Sequence, residues 1–372
     1  MIREDLDVSL DNIRRTATTV VSGAVSRLSD ENSHDYEDAC SHDDSPNTDM
    51  NVEANDKDVK GYGKYRKVKR TCYSTEVSIA TADFNFADDG KGNETGTLSA
   101  VYAQERTTGE LYSKYGRYIE LSVQNREQTK KDKGEIDTVR VNIGGYMVYR
   151  AAASTFLSSY ITFGGSQSTY DMTYETVKST GSYLAFNIGT GIGLTGEMKG
   201  EYVKFAPNVS IDLIATGHPT FKGDFKITGK TYKRDIEQNI LHKATLSFAP
   251  KFQIYSSNRF AEAGSVTTLA PSIFCASGSL NTECGYSVLA ENVTRNIMGT
   301  DLTTRLGYEE IGDMSTTSLS LKANTYLFDN TFIRVGNEIS AKRDKPKAPS
   351  STTTTVTSDP YMSYKLYIEM LY

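Results

Sequence analysis

The feature that most constrains this chain is alternation with period two, held over runs of ~10 to 16 residues. In "DTVRVNIGGYMVYR", Val139, Val141, Ile143, Met147 and Tyr149 share one face, and Arg140, Asn142, Tyr146 and Arg150 the other. In "GSYLAFNIGTGIGLTG", Leu184, Phe186, Ile188, Ile192 and Leu194 alternate with Ala185, Asn187, Gly189, Gly191 and Gly193. In "EYVKFAPNVSIDLIATG", Val203, Phe205, Pro207, Val209, Ile211 and Leu213 face one way, and Lys204, Asn208, Ser210 and Asp212 the other. Leu246, Phe248, Phe252 and Ile254, then Leu319, Leu321, Ala323 and Leu327, continue the pattern toward the C-terminus. Alternate residues of a strand lie on opposite faces of the sheet. The chain from about 74 onward is therefore all-β, and each strand has one apolar and one polar face.

Two architectures hide or use such faces: a soluble sandwich and a closed barrel. Soluble strands usually run about 5–6 residues, whereas a tilted barrel strand needs ~9–11 to cross a bilayer. Lys, Arg, Asn and Asp on the polar faces suit a wet lumen, and Leu, Ile, Val, Phe and Tyr on the others suit lipid. No run approaches the roughly 18 apolar residues of a spanning helix, so any membrane crossing must use strands. The formal net charge of −6 argues against nucleic acid as a partner.

The joins carry a second expectation. Counting back from Tyr372, long joins fall at 126–136, 165–180, 215–240 and 343–360, and short ones at 151–154, 196–200 and 328–330. Such a difference between the two ends marks an outer-membrane barrel. The count comes to 12 strands, with 14 possible, because 264–310 has room for one more pair. "KFAPNVSI", "SFAPKFQI" and "TLAPSIF" repeat an Ala-Pro inside a strand, where proline signals a bulge or a strand end.

Residues 2–29 read differently. Leu6, Leu10, Ile13, Ala17, Val20, Ala24 and Leu28 recur at helical spacing, so this segment is a helix with a narrow apolar stripe. An isolated helix of that length is marginal and needs a surface to dock on. Residues 30–60 are acidic and almost without apolar side chains, as in a flexible linker. The chain divides into a helix at 1–33, an acidic linker at 34–73 and a barrel at 74–372. "MIREDLDVSLDNIRR" lacks the basic and apolar regions of a signal peptide.

Chemical motifs are weak. "GIGLTG" (191–196) has the three glycines of a nucleotide loop but sits inside an alternating strand, not before a helix. Gly189, Gly191 and Gly193 instead leave a lumenal groove along which a helix could lie. His34, Cys40 and His42 fit no zinc spacing and read as solvated linker. His218 falls in a loop and His242 at a strand start, neither with a nucleophile beside it in sequence. There is no nucleophile elbow and no paired-carboxylate signature. The sequence thus offers no catalytic, cofactor-binding or metal residue, and an enzyme is not expected. Cys275 and Cys284, nine residues apart in "FCASGSLNTECGY", either close a disulfide in an oxidising compartment or remain free thiols. Cys40 and Cys72 have less reason to pair.

The last strand, "YMSYKLYIEMLY", puts Tyr364, Leu366, Ile368, Met370 and Tyr372 on one face and Ser363, Lys365, Tyr367 and Glu369 on the other. In a barrel it must pair with the first strand, since an open edge is not tolerated in lipid. Tyr372 would then sit at the inner interface, where aromatic rings are favoured.

From about 74 to 372 the chain resembles the C-terminal translocator barrel of autotransporters, the type V secretion proteins of Gram-negative bacteria. "YGRYIELSVQN", "GEIDTVRVNIGGYMVYRAAASTFLSSYITFGGSQSTYDM", "FAPNVSIDLIATG" and "LSFAPKFQIY" carry the likeness. The resemblance implies a 12-stranded barrel in the outer membrane, with an N-terminal helix threaded through its lumen to an exported passenger. It implies as partners membrane lipid, the barrel-assembly machinery and a passenger upstream, with a monomeric barrel and no cofactor. Lys365, Met370 and Tyr372 match the family's closing-strand signal, whereas Tyr367 stands where that family has glycine. Trp, common in the family's aromatic girdles, is absent. Asn12 and Asn32 are available for the linker cleavage of some members. A porin-like channel and a soluble all-β adhesion or structural module are the alternative readings.

Overall fold

The computed structural model describes residues 2–30, 76–88, 93–107, 113–129, 133–256, 264–279, 282–297, 300–312, 314–328, 331–346 and 361–371. The linker expected at 34–73, with Cys40 and Cys72, lies outside them, as do Asn32 and Tyr372. The chain opens on helix α1, Ile2–Asp30. Strands β1 (Glu76–Asp88), β2 (Asn93–Thr107) and β3 (Ser113–Gln128) follow. Next come three strands of 20 residues each: β4 (Lys133–Ala152), β5 (Thr155–Tyr174) and β6 (Val177–Gly196). The middle of the chain is broken into short pieces. They are β7 (Met198–Lys199), β8 (Val203–Ala206), β9 (Asn208–His218), β10 (Phe221–Ile227), β11 (Lys230–Ile236), β12 (Asn239–Phe248) and β13 (Lys251–Tyr255). Six longer strands complete the sheet: β14 (Gly264–Gly278), β15 (Thr282–Ile297), β16 (Thr300–Ile311), β17 (Met314–Phe328), β18 (Thr331–Pro346) and β19 (Tyr361–Leu371).

All pairings are antiparallel between neighbours, and the ring is sealed by β1 against β19, from Ile79 opposite Leu371 to Asp88 opposite Met362. Two staves of the wall are interrupted. β8 and β9 form one, broken at Pro207, and β12 and β13 the other, broken at Ala249–Pro250. The breaks are level, because β9 pairs with β12 and β8 with β13. Proline has no N–H for the ladder, so both staves yield at the same height. Pro271, by contrast, sits within β14 opposite Val288 without breaking it.

The closed barrel among the described residues has fourteen staves, not twelve. The extra pair lies in 264–310, where β14, β15 and β16 follow one another with two- or three-residue joins. Thr, Ser, Asn and Cys dilute the apolar face there, which hid the alternation.

The expected alternation of long and short joins holds only in part: the short joins between β4 and β5 and between β17 and β18 are there, but not all of the long ones are loops. Residues 165–180 are not a loop: β5 and β6 run through them and meet in a turn at Glu175, whose φ is +50°. Their outward residues there, Thr169, Asp171 and Thr173 opposite Ser182, Thr180 and Lys178, are polar because the strands rise above the apolar belt. Residues 126–136 are likewise mostly strand. The long segment 215–240 folds into the hairpin β10–β11, turning at Thr228–Gly229. β10 docks on β6 above the point where β9 leaves it, Asp224–Ile227 opposite Thr180–Val177. The hairpin marks one mouth of the barrel. The other, terminal mouth is where β1 begins and β19 ends.

The two faces of the wall divide as the alternation requires. Val139, Val141, Ile143, Met147 and Tyr149 are exposed on the outside, as are Leu184, Phe186, Ile188, Ile192 and Leu194. Arg140, Asn142, Tyr146, Ala185 and Asn187 are buried inside. Aromatic rings edge the outer belt: Tyr115, Tyr149 and Tyr202 toward the terminal mouth, and Phe86, Tyr364, Tyr286 and Tyr308 toward the hairpin mouth.

The core is built around α1, inside the ring. Leu6, Leu10, Ile13, Ala17, Val21, Ala24 and Leu28 are all buried. Val21, not Val20, takes the central position; Val20 is only partly buried at the edge of the stripe. The N-terminal half packs on Ile136, Tyr170, Tyr183, Ile214 and Leu241. The C-terminal half packs on Ala103, Tyr118, Tyr146, Val148 and Phe156. Each such Leu or Ile contributes about 1.5–3 kcal/mol by leaving water. Asp5 and Asp7 in the first turns and Arg27 in the last suit the helix dipole.

The lumenal glycines serve a different purpose from the one expected. Gly189, Gly191 and Gly193 do not receive the helix. Their space is taken by Thr162, Tyr160 and Ser158 of β5. Tyr160 lies directly opposite Gly191. The same cross-strand pairing joins Tyr146 to Gly116, Tyr118 to Gly144, Tyr170 to Gly181 and Tyr367 to Gly336. In every case a Cβ on the glycine would run into the ring.

Candidate functional site: a docked helix in a charged lumen

α1 runs from the hairpin mouth to the terminal mouth, leaning on β3–β6, β9 and β12. Polar contacts fix it at successive heights. Near the N-terminus, Asp5 is buried and accepts hydrogen bonds from Tyr183 Oη (2.7 Å), Ser168 Oγ (3.3 Å) and Thr138 Oγ1 (3.4 Å). One turn on, Arg140 donates to Ser9 Oγ. At mid-height Thr16 Oγ1 donates to Glu120 Oε1 (2.9 Å), whose other oxygen accepts from Asn142 Nδ2 (2.8 Å).

The last contact is the most heavily built. Glu105 of β2 receives Arg27 Nε (3.0 Å) and Nη2 (2.7 Å), Lys114 Nζ (3.0 Å) and Tyr146 Oη (3.0 Å). Glu105 and Lys114 are buried, so only this full set of partners makes their charges tolerable. From Asp5 to Arg27 the helix covers about 33 Å at 1.5 Å per residue, close to the ~30 Å hydrocarbon core of a bilayer.

The hairpin mouth is roofed by aromatic rings. Phe221 at the start of the hairpin stacks on Tyr183 (5.2 Å between centroids) and meets His218 edge-on (5.1 Å). Phe221 and Ile236 also pack on the cluster that holds Leu6 and Leu10. His218 is thus a buried packing residue at the end of β9, not a loop histidine. Lys243 pairs with Asp11 (2.8 Å), and Arg3 donates to the Ser279 carbonyl (3.3 Å).

The wall from β15 round to β1 is different. Several of its lumenal side chains are charged and only half-buried. Arg305 joins Glu291 and Glu338, Arg334 joins Glu369, and Lys365 joins Asp83 at 3.3 Å. Lys322 lies over the Tyr367 ring, 4.4 Å from its centroid. In this set four cations meet four carboxylates, so the set carries little net charge.

His242 has a hydroxyl beside it in space, from a residue distant in sequence: Ser279 Oγ lies 2.6 Å from its Nδ1. The same Oγ accepts from the His242 backbone N–H (3.0 Å), which makes it a turn contact on the outer face. Cys275 and Cys284 are disulfide-bonded. They are not in a loop: they sit opposite each other on β14 and β15, facing outward. Among the described residues no group of His, Cys, Asp or Glu is placed to hold a metal. Asn12 lies half-buried on the helix within the lumen. Sequence reasoning found the helix and its stripe but missed every docking partner on the wall, since contacts between residues such as 27 and 105 leave no local pattern.

No family model and no curated protein matches the chain. Solved structures do. They include the β domain of the Bordetella autotransporter BrkA, at 8% identity and TM-score 0.47, covering 80% of this chain and 99% of that one. They also include a Pseudomonas aeruginosa FadL homologue, at 7% identity and TM-score 0.49, covering 80% and 90%. A third is the translocator domain of NalP from Neisseria meningitidis, at 9% identity and TM-score 0.40, covering 81% and 89%. The likeness is this faint for autotransporter domains and for a FadL homologue alike, and it does not tell them apart.

Proposed function

We propose that the chain is an outer-membrane barrel that anchors or exports a segment joined to the N-terminus of its lumenal helix. The observation that carries this is the path of α1. Its C-terminal end lies beside Glu105 near the terminal mouth, where β1 begins, and its N-terminal end lies under the aromatic roof of the opposite mouth. A segment attached before Ile2 would leave through the hairpin mouth, away from both ends of the barrel sequence. Several features support a membrane setting: the outer apolar belt, its aromatic edges and the polar strand extensions above it. A soluble module would have to expose that whole belt to water. Membrane lipid, the assembly machinery that reads β19 and the upstream segment are the partners of this reading, and the barrel acts as a monomer. Its work requires no catalytic group and no cofactor.

The test is a reporter domain fused before Ile2 and expressed behind a secretion signal in a Gram-negative host. Export predicts a heat-modifiable barrel in the outer membrane and a reporter cleaved by protease added to intact cells. A barrel that inserts normally while the reporter stays protected overturns the export role.

The half-exposed charges on β15–β19 favour a second reading, a channel beside the helix. It predicts steady ion conductance in liposomes with the helix in place. Conductance that appears only after residues 2–30 are deleted would instead make α1 a plug.

A further inference from the structure

On the outer surface Arg117 stands where lipid is expected. On β3 the outward residues Tyr115, Ile119, Leu121 and Val123 are apolar and exposed, yet Arg117 stands among them, also exposed. It sits one outward position above Tyr115, the aromatic edge of the belt toward the terminal mouth. A guanidinium facing hydrocarbon is costly unless it reaches the interface or finds an anion. Here Gln104 of β2, directly opposite, holds it: Oε1 accepts from Arg117 Nε (3.0 Å) and Nη2 (2.6 Å). No carboxylate pairs with Arg117 among the described residues, and its side chain is exposed.

Beside it the belt is hollow. Gly145 of β4 is the other residue opposite Arg117, and a Cβ there would find one backbone oxygen at 3.8 Å and otherwise open space. The missing side chain opens an apolar groove of about 400 Å³, lined by Tyr102, Ile119, Ile143, Gly145, Ile161 and Phe163. Arg117 and Gln104 form the rim at its interfacial end. A fixed guanidinium at headgroup level and an apolar trough rising from it are the two halves of a phospholipid site.

We propose that this groove binds one glycerophospholipid of the leaflet at the terminal mouth. Arg117 would take the phosphodiester through paired N–H donors, the geometry in which arginine binds phosphate best. Gln104 is a positioning residue that fixes the fork, and Gly145 makes room for an acyl chain. The site rests on the reading that the belt faces lipid.

The purified full-length barrel, folded in detergent with phosphatidylglycerol and then delipidated, is measured by native mass spectrometry. The wild type is expected to retain one phosphatidylglycerol. Arg117→Gln should lower the retained fraction about tenfold, as loss of a charge-assisted contact predicts. Gly145→Leu, which fills the trough and keeps the charge, should do the same. Free inorganic phosphate should not compete, and diacylglycerol, which lacks the phosphate, should not be retained. Equal retention in wild type and both variants overturns the site, as does retention of diacylglycerol equal to that of phosphatidylglycerol. Insertion of the same preparation into liposomes, read by heat-modifiable mobility, is scored separately. Normal insertion without selective retention sinks only the lipid site, whereas failure to insert overturns the membrane reading and the site together.

Discussion

The ring of Tyr367 lies across Gly336, its direct partner on the neighbouring strand, and a side chain at Gly336 would collide with it. The last strand therefore does not lack a glycine: the glycine it needs is on β18. Aromatic rings that cover cross-strand glycines protect the thin backbone and pin the register. Gly336→Leu should destabilise the barrel by about 1–3 kcal/mol through overpacking. Tyr367→Ala in the same chain should recover part of that loss, a coupling read by a double-mutant cycle on urea midpoints. Additive effects of the two changes would show that the pair does not act as a unit.

Glu105 is the carboxylate shared by Arg27, Lys114 and Tyr146. Glu105→Ala should cost about 3–5 kcal/mol, the usual penalty for breaking a buried ion pair. It should also make residues 2–30 sensitive to protease. Glu105→Leu combined with Lys114→Met, which removes both buried charges, should be milder than the single change. Limited proteolysis alongside urea unfolding separates release of the helix from loss of the barrel.

Ile188 and Asn187 are neighbours on β6 that face opposite ways, Ile188 exposed outside and Asn187 buried inside. Near the middle of a lipid belt, Ile188→Arg should cost about 2–4 kcal/mol in vesicles. Because Ile188 is exposed on the outer face, the same change in a water-exposed belt would be near neutral. Reversible folding into liposomes supplies the measurement, and a neutral Ile188→Arg would mean that the belt does not meet hydrocarbon.

Cys275 and Cys284 close a short hairpin between paired strands. Replacing both with serine should lower stability by about 2–3 kcal/mol, the loop-closure value for so short a span. Because the ladder around them remains, the fold and the heat-modifiable shift should persist. Thiol labelling of the unfolded wild type, with and without reductant, reports directly whether the bond is present.

The wall was legible in the sequence wherever one face was uniformly apolar. β4 and β6 could be assigned residue by residue from Val139–Tyr149 and Leu184–Leu194. The helix was legible for the same reason, with a one-residue shift from Val20 to Val21, since spacings of three and four are both helical. Legibility failed where alternation lost its contrast. In β14–β16, Thr, Ser and Cys face outward, and a strand pair went uncounted. In β5 and β6, polar residues above the belt passed for a loop although the ladder continues through them. The docking site was beyond reach for another reason. Glu105, Glu120 and Asp212 look like ordinary lumenal acids until the fold brings Arg27, Thr16 and Tyr160 to them.

The seal between β1 and β19 joins Ile79 to Leu371, so the first and last strands of the chain are neighbours in space. Contacts that span nearly a whole sequence form slowly, because the chain must lose most of its freedom before they return anything. Until that final pairing, both edges of a long sheet are bare and prone to join other strands. The helix, in contrast, binds β2–β6, β9 and β12, all available before the late strands arrive. We expect it to act as an internal mandrel during folding, holding the curved half-wall in shape until the closing strand reaches its partner.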